Sequence, residues 1–199
     1  MKRIFLVLLA SIGLLLTGCS QMNSAATVGE EEITVKLLQS QVDSILEARK
    51  SVDTTQMELE TGEALTRGQL TFLIANLVIE ELSKDAGIKV SATDLELYKQ
   101  EIFQSIGGEE MLPSVLVNAG IAPETLDKVL RRDLILRKLS AGAREAGSDD
   151  AAVNELVQTA VTKKANELNI VINPRYGTWD SNSFTVVAKS PAGDAVTDK

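Results

Sequence analysis

Histidine is absent from the 199-residue chain, and cysteine occurs once, at Cys19. Without histidine there is neither a Ser-His-Asp triad nor a Cys-His nucleophile pair, since both need an imidazole to take the proton. One thiol is the whole supply of soft metal ligands. A single cysteine also cannot close a disulfide within the chain, so the core and hydrogen bonds must hold the fold. No Ser-x-x-Lys, no Gly-x-Ser-x-Gly, no phosphate-cradling glycine loop with a lysine and no calcium-loop spacing occurs. Carboxylates are plentiful, but Glu30-Glu31-Glu32 and Asp149-Asp150 fall in polar, turn-like sequence, the setting of solvated surface rather than of an acid-base pair. These absences predict a protein that is not an enzyme and that takes no cofactor or metal.

The apolar run at residues 4–16 is shorter than the about 20 residues that cross a hydrocarbon core. It follows Lys2 and Arg3 and precedes small residues around Gly18, the three parts of a secretory signal in order. Leu16-Thr17-Gly18-Cys19 resembles the bacterial lipobox, at which lipoprotein precursors are acylated and cut. That resemblance implies a diacylglyceryl group on the Cys19 sulfur. Two chains matter because each buried CH₂ adds roughly 0.8 kcal/mol, and one chain alone binds only reversibly. The alternative is an ordinary signal peptide leaving a free thiol. Against it, Leu16 stands where ordinary cleavage takes a small residue, and Ser24-Ala25-Ala26 lies far from the apolar run. The expected location is the extracytoplasmic face of a cell membrane, with membrane contact through the lipid on Cys19.

Two of the 20 basic residues, Lys2 and Arg3, lie in the export segment, so the mature chain carries 18 against 28 acidic residues, a net charge of about −10. Such a chain is repelled by a polyanion, and nucleic acid is excluded as a partner.

Residues 20–24 are polar and small and read as a tether. Ala25 to Val28 and Ile33 to Val35 flank an acidic turn at Gly29 and suggest a strand leading into a helix that Thr34 caps. Leu38, Val42, Ile45 and Leu46 give that helix a three-and-four period ending near Lys50. Residues 51–68 lack a period and read as loop. Residues 69–86 are the most hydrophobic stretch, apolar on more than one side, and read as the central core helix, stopped at Gly87. Ile88-Lys89-Val90 reads as extended. Ser91, with Asp94 three residues on, caps a helix that runs to the Gly107-Gly108 break. A short helical stretch at 109–118, irregular at Pro113, precedes a long helix from Glu124. The helix through Val153, Leu156, Val157, Ala160, Val161, Ala165 and Leu168 has the cleanest period, and Ile170-Val171-Ile172 is a strand candidate stopped by Asn173-Pro174.

Several of these segments, in this order, resemble the helical chaperone domain of the SurA and PrsA group of extracytoplasmic foldases. Val28-Gly29-Glu30-Glu31-Glu32-Ile33-Thr34 is similar to its opening strand and turn, with Val28-Gly29 where the family usually has Asn-Gly. Leu73-Ile74, Glu80-Glu81-Leu82 and Ala86-Gly87-Ile88-Lys89-Val90-Ser91 resemble its core helix, glycine stop and next cap. Gly120-Ile121-Ala122-Pro123-Glu124-Thr125-Leu126, running into Arg131-Arg132-Asp133-Leu134, resembles its long arm helix. Ile172-Asn173-Pro174-Arg175-Tyr176-Gly177-Thr178-Trp179 looks like the closing strand of actinobacterial lipoproteins with a SurA-type N-terminal domain.

The resemblance implies a mainly α fold with a small two-stranded β element pairing the N- and C-terminal ends of the domain. Together with the export pattern and the polar composition after Trp179, the expected division is signal peptide 1–18, lipidated tether 19–26, helical chaperone domain 27–180 and a disordered tail 181–199. The parvulin isomerase domain that such foldases often carry before the closing strand is missing, in keeping with the absence of histidine. What remains implied is a cradle open on one side, holding unfolded or partly folded secreted polypeptides.

A holding surface exposes apolar side chains beyond those the core needs. Phe103, Ile106, Met111, Leu112 and Leu116, around Gly107-Gly108, are the candidates, with burial in the core as the alternative for each. The basic run Lys128, Arg131, Arg132, Arg137, Lys138 either faces anionic lipid or acidic clients, or pairs with neighbouring carboxylates. Tyr176 and Trp179 either anchor a partner or pack the closing segment. Three classes of function stay open: a membrane-tethered holdase, a dedicated assembly lipoprotein for one partner, and an enzyme for which no catalytic groups are found.

Overall fold

The computed structural model describes residues 23–189. Cys19, the export segment and residues 190–199 lie outside the described residues. The domain opens on a hairpin of β1 (Ser24–Val28) and β2 (Glu31–Thr34). Gly29 in its two-residue loop has φ 61° while Glu30 stays out of the positive region, the pattern of a type II′ turn. That turn demands glycine only at its first central position, so Val28-Gly29 serves without the Asn-Gly of the resembling family. The short β3 (Val171–Ile172) pairs antiparallel with the other side of β1, giving the order β2-β1-β3.

Among the described residues, six helices follow the hairpin: α1 (Val35–Ala48), α2 (Gly62–Asp85), α3 (Ala92–Ser105), α4 (Leu112–Asn118), α5 (Leu126–Glu145) and α6 (Asp150–Glu167). Their starts are chemically marked. The Thr34 hydroxyl accepts from the Leu37 amide at 3.1 Å, and Asp149 accepts from the Ala152 amide at 2.8 Å. Ser91 and Asp94 form a reciprocal capping box at the start of α3. At α4, Pro113 sits in the first turn, where its missing N–H costs nothing.

Helix α2 is the hub. Leu70, Leu73, Ile74 and Val78 are buried with Ala25, Ala26 and Val28 of β1, Ile33 of β2, Leu38 of α1 and Ala165 of α6. Farther along, Ile79 and Leu82 pack with Ile135 of α5. Each fully buried aliphatic side chain contributes roughly 1.5 to 3 kcal/mol. Because α2 has neighbours on several sides, its apolar residues are not confined to one stripe. No helix among the described residues is long and apolar enough to cross a membrane.

Several boundaries differ from the sequence reading. The tether does not extend to residue 26: Ser24, Ala25 and Ala26 belong to β1, and both alanines are buried. Two small side chains look like linker in sequence, but here they allow β1 to lie close against α2. Helix α2 begins seven residues earlier than expected, at Gly62, because Leu65 is buried against Val42, Ile45 and Ala122. One leucine among polar neighbours leaves no readable period.

Ile88-Lys89-Val90 connects α2 to α3 outside any helix or strand, and Ile88 bonds Ser83, its amide donating to the Ser83 carbonyl and its carbonyl accepting from the Ser83 hydroxyl. The β element has three strands rather than two. The ordered chain also continues past residue 180, where a tail had been expected, into a hairpin of β4 (Thr178–Asp180) and β5 (Thr185–Val187). Val186 is buried there, and its amide donates to the Thr71 hydroxyl of α2 at 2.9 Å. Tyr176, Trp179 and Phe184 pack on the main core, so the aromatic pair closes the domain.

Candidate functional site

Two cavities, of about 440 and 400 Å³, adjoin on the surface of α2 and share one lining residue, Arg132. Helix α2 supplies the floor of both: Leu65 and Phe72 to the first, Ala75 and Ile79 to the second. Steps of seven, three and four keep these four residues on one helical face. Leu136 of α5, Val157 and Val161 of α6, and Phe184 from the β4–β5 loop continue the apolar lining of the second cavity.

The walls are fixed by polar contacts. The buried Gln69 amide donates to the Gly120 carbonyl at 2.8 Å, tying α2 to the turn before α5. Arg49 donates to the Glu60 carbonyl at 2.8 Å and holds the loop before α2 across the end of the first cavity. Between the cavities, the Arg132 guanidinium lies 5.4 Å from the centroid of the half-buried Phe72 ring, a cation–π contact that leaves donors for a ligand's carbonyls. The result is two adjoining cavities with partly apolar linings and polar rims that meet at Arg132.

The hinge residues are divided. Leu116 is buried in the core, Phe103, Ile106 and Leu112 are partly buried, and Met111 is 45% exposed. Val115, which the sequence reading left out, is 37% exposed one turn beyond Met111. This patch belongs to α3, α4 and the turn between them, and none of it lines the groove.

The basic run on α5 is mostly engaged. Arg131 forks onto Glu80 of α2, Arg137 pairs with Glu101 of α3 and lies over the Tyr98 ring at 4.8 Å, and Lys138 reaches Asp94 at 2.7 Å. The Lys138 ammonium, helped by the Ser91 amide, holds the Asp94 carboxyl below the usual carboxylate range. Glu101 raises the Arg137 guanidinium in the same sense. Lys128 is exposed. These cations dock α3 and α5 on their neighbours; Arg132 lines both cavities on α2, and Arg137 and Lys138 border an open cavity along α5.

Sequence reasoning missed the two cavities because Phe72 and Ile79 read as core, and Ile79 is core, packed with Ile135. The available signal was that α2 carries apolar residues on more sides than one packing face needs.

Residues 1–140, which include every element from β1 through most of α5, match the family described as SurA-like N-terminal domain. No curated protein and no solved structure matches the chain. SurA-like chaperone domains bind polypeptide substrates in general, and a groove with a partly apolar lining is the kind of surface such binding requires. The match spans well over half the chain, on a mainly helical fold with antiparallel strands near both ends, and the chain belongs to the SurA-like N-terminal domain family.

Proposed function

We propose that this protein is a membrane-tethered extracytoplasmic holdase, anchored through a lipid on Cys19, that keeps secreted or envelope polypeptides from aggregating without enzymatic activity. The observation that carries the reading is the pair of cavities meeting at Arg132, where Phe72 and Ala75 of α2 present partly exposed apolar surface over the buried Leu65 and Ile79. A client segment laid along it removes apolar area from water on both partners, and the Arg132 guanidinium donates to its backbone carbonyls. Such recognition depends little on client sequence. The α6 helix alone occupies the stretch between α5 and β3, which supports a holdase without an interposed isomerase domain.

The test is light scattering from several unrelated unfolding proteins with increasing amounts of the purified protein. Holdase activity delays aggregation of all of them. Suppression of a single client shifts the reading to a dedicated assembly adaptor, and no suppression sinks it. A proline isomerisation assay should show no acceleration. For the anchor, the mature mass should start at Cys19 and include lipid, and Cys19→Ala should remove both the lipid and the membrane partition.

A further inference from the structure

We infer that the end of the domain where β1 begins is a docking face for anionic phospholipid head groups, built from Lys36, Arg175 and Lys189 around the exit of the tether. The inference rests on the anchored reading above and adds which side of the domain meets the membrane.

The geometry starts from how firmly the chain is held at its entry. The Asn23 carbonyl accepts from the Val35 amide at 2.7 Å, and the Ser24 carbonyl accepts from the Asn173 side-chain amide at 2.8 Å. Asn173 also donates its backbone amide to the Ala25 carbonyl at 2.9 Å. The domain is therefore fixed from Asn23 onward. Four Cα-to-Cα steps separate Asn23 from Cys19, a reach of at most about 15 Å. Helix α2 alone is about 36 Å long at 1.5 Å per residue. A tether this short keeps the start of β1 within about 15 Å of Cys19, so the residues beside that entry are the part of the domain held nearest the lipid.

Three chain segments come together at this near end. Register pairs Ser24 with Thr34, so Lys36 and Leu37, both exposed in the first turn of α1, lie beside the entry point. Asn173 brings Pro174 and Arg175 alongside, with the Arg175 guanidinium over the Tyr176 ring at 5.2 Å. Thr178 pairs with Val187, and Gly177 approaches the Val187 carbonyl so closely that a Cβ would strike it, which puts exposed Lys189 at the same end.

Lys36, Arg175 and Lys189 enter no ion pair among the described residues, unlike Arg131, Arg137 and Lys138. The acidic turn Glu30-Glu31 caps the opposite end of the β1–β2 hairpin. An acidic protein thus turns a basic end to the membrane and its acidic bulk away from it. Leu37, 39% exposed, adds an apolar contact at the same level.

The experiment measures lysine acylation rates by mass spectrometry on the mature protein, held on vesicles of phosphatidylglycerol and phosphatidylcholine or of phosphatidylcholine alone. It is run with the protein's own lipid, and in parallel with the unacylated Cys19 thiol coupled to a maleimide-bearing lipid. The expected result is several-fold slower labelling of Lys36 and Lys189 on the anionic vesicles, with Lys50, Lys128 and Lys163 unchanged. Each basic residue contributes about a fivefold change in surface affinity at low salt. The protection should fade with added salt, and it should be lost at Lys36 in Arg175→Glu with Lys189→Glu and at Lys189 in Lys36→Glu with Arg175→Glu, while membrane partition persists. Equal labelling at all lysines, or protection of Lys50 or Lys128 instead, overturns the docking face even if the lipid is present. Protection in the coupled protein when the native lipid is absent upholds the face and sinks only the anchor.

Discussion

Arg131 on α5 grips Glu80 on α2 through two donors, Nε at 2.6 Å and Nη2 at 3.2 Å from the two carboxylate oxygens, while Nη1 reaches the Val90 carbonyl at 3.1 Å. One side chain thereby joins the hub helix, the arm helix and the connector into α3. Both partners are about a third exposed, so water screens part of the attraction. Arg131→Ala should lower stability by about 1 to 2 kcal/mol. Arg131→Lys should recover only part of that, because an ammonium cannot fork. Urea unfolding of the three proteins measures the difference.

The β4–β5 hairpin depends on Gly177. Its φ of 131° is a conformation other residues avoid, and a Cβ would run into the Val187 carbonyl. Gly177→Ala should cost about 2 kcal/mol or more and loosen the hairpin. Trp179, which packs edge-on against Phe184 at 5.1 Å, is the reporter. A red-shifted emission in the variant is the expected outcome, and an unchanged spectrum and melting temperature would contradict it.

Acid should detach α3 from α5 before the core melts. The Asp94 carboxyl is held below its ordinary 3.8 by Lys138 and by the Ser91 amide. Its contribution is therefore complete above about pH 4 and is lost as the pH falls through the lowered folded value. Helicity followed from pH 5 to pH 2 should show an early loss that Asp94→Asn lacks. The variant should be less stable than the parent at neutral pH and equal to it at the acid end.

Groove and hinge make separable predictions for holding clients. Phe72→Ser and Arg132→Ser should each weaken aggregation suppression severalfold, because they remove the floor and the donor shared by the two cavities. Met111→Ser with Val115→Ser removes exposed apolar area outside the groove and should leave suppression nearly unchanged. Far-UV circular dichroism checks that each variant remains folded. The reverse ranking would move the client site to the hinge.

Most helices were legible in sequence because their signals are local. The three-and-four period of α6, the Ser91 and Asp94 cap of α3 and the glycine stops each lie within a few residues, and each corresponds to an observed element. The start of α2 was not, because Leu65 becomes a core residue only when Val42, Ile45 and Ala122 arrive beside it.

Composition and local pattern by themselves determined a mainly helical domain, an acidic chain without histidine and the order of its elements. Tertiary structure decided which apolar residues remain at the surface. Phe72, Arg132 and Phe184 lie far apart in sequence and border the same groove only after α2, α5 and the closing hairpin pack together. Likewise, Lys36, Arg175 and Lys189 share one end because β1 pairs with both β2 and β3 and β4 pairs with β5. Periodicity records how many sides of a helix are apolar, whereas which side stays uncovered depends on neighbours that the chain brings in from a distance.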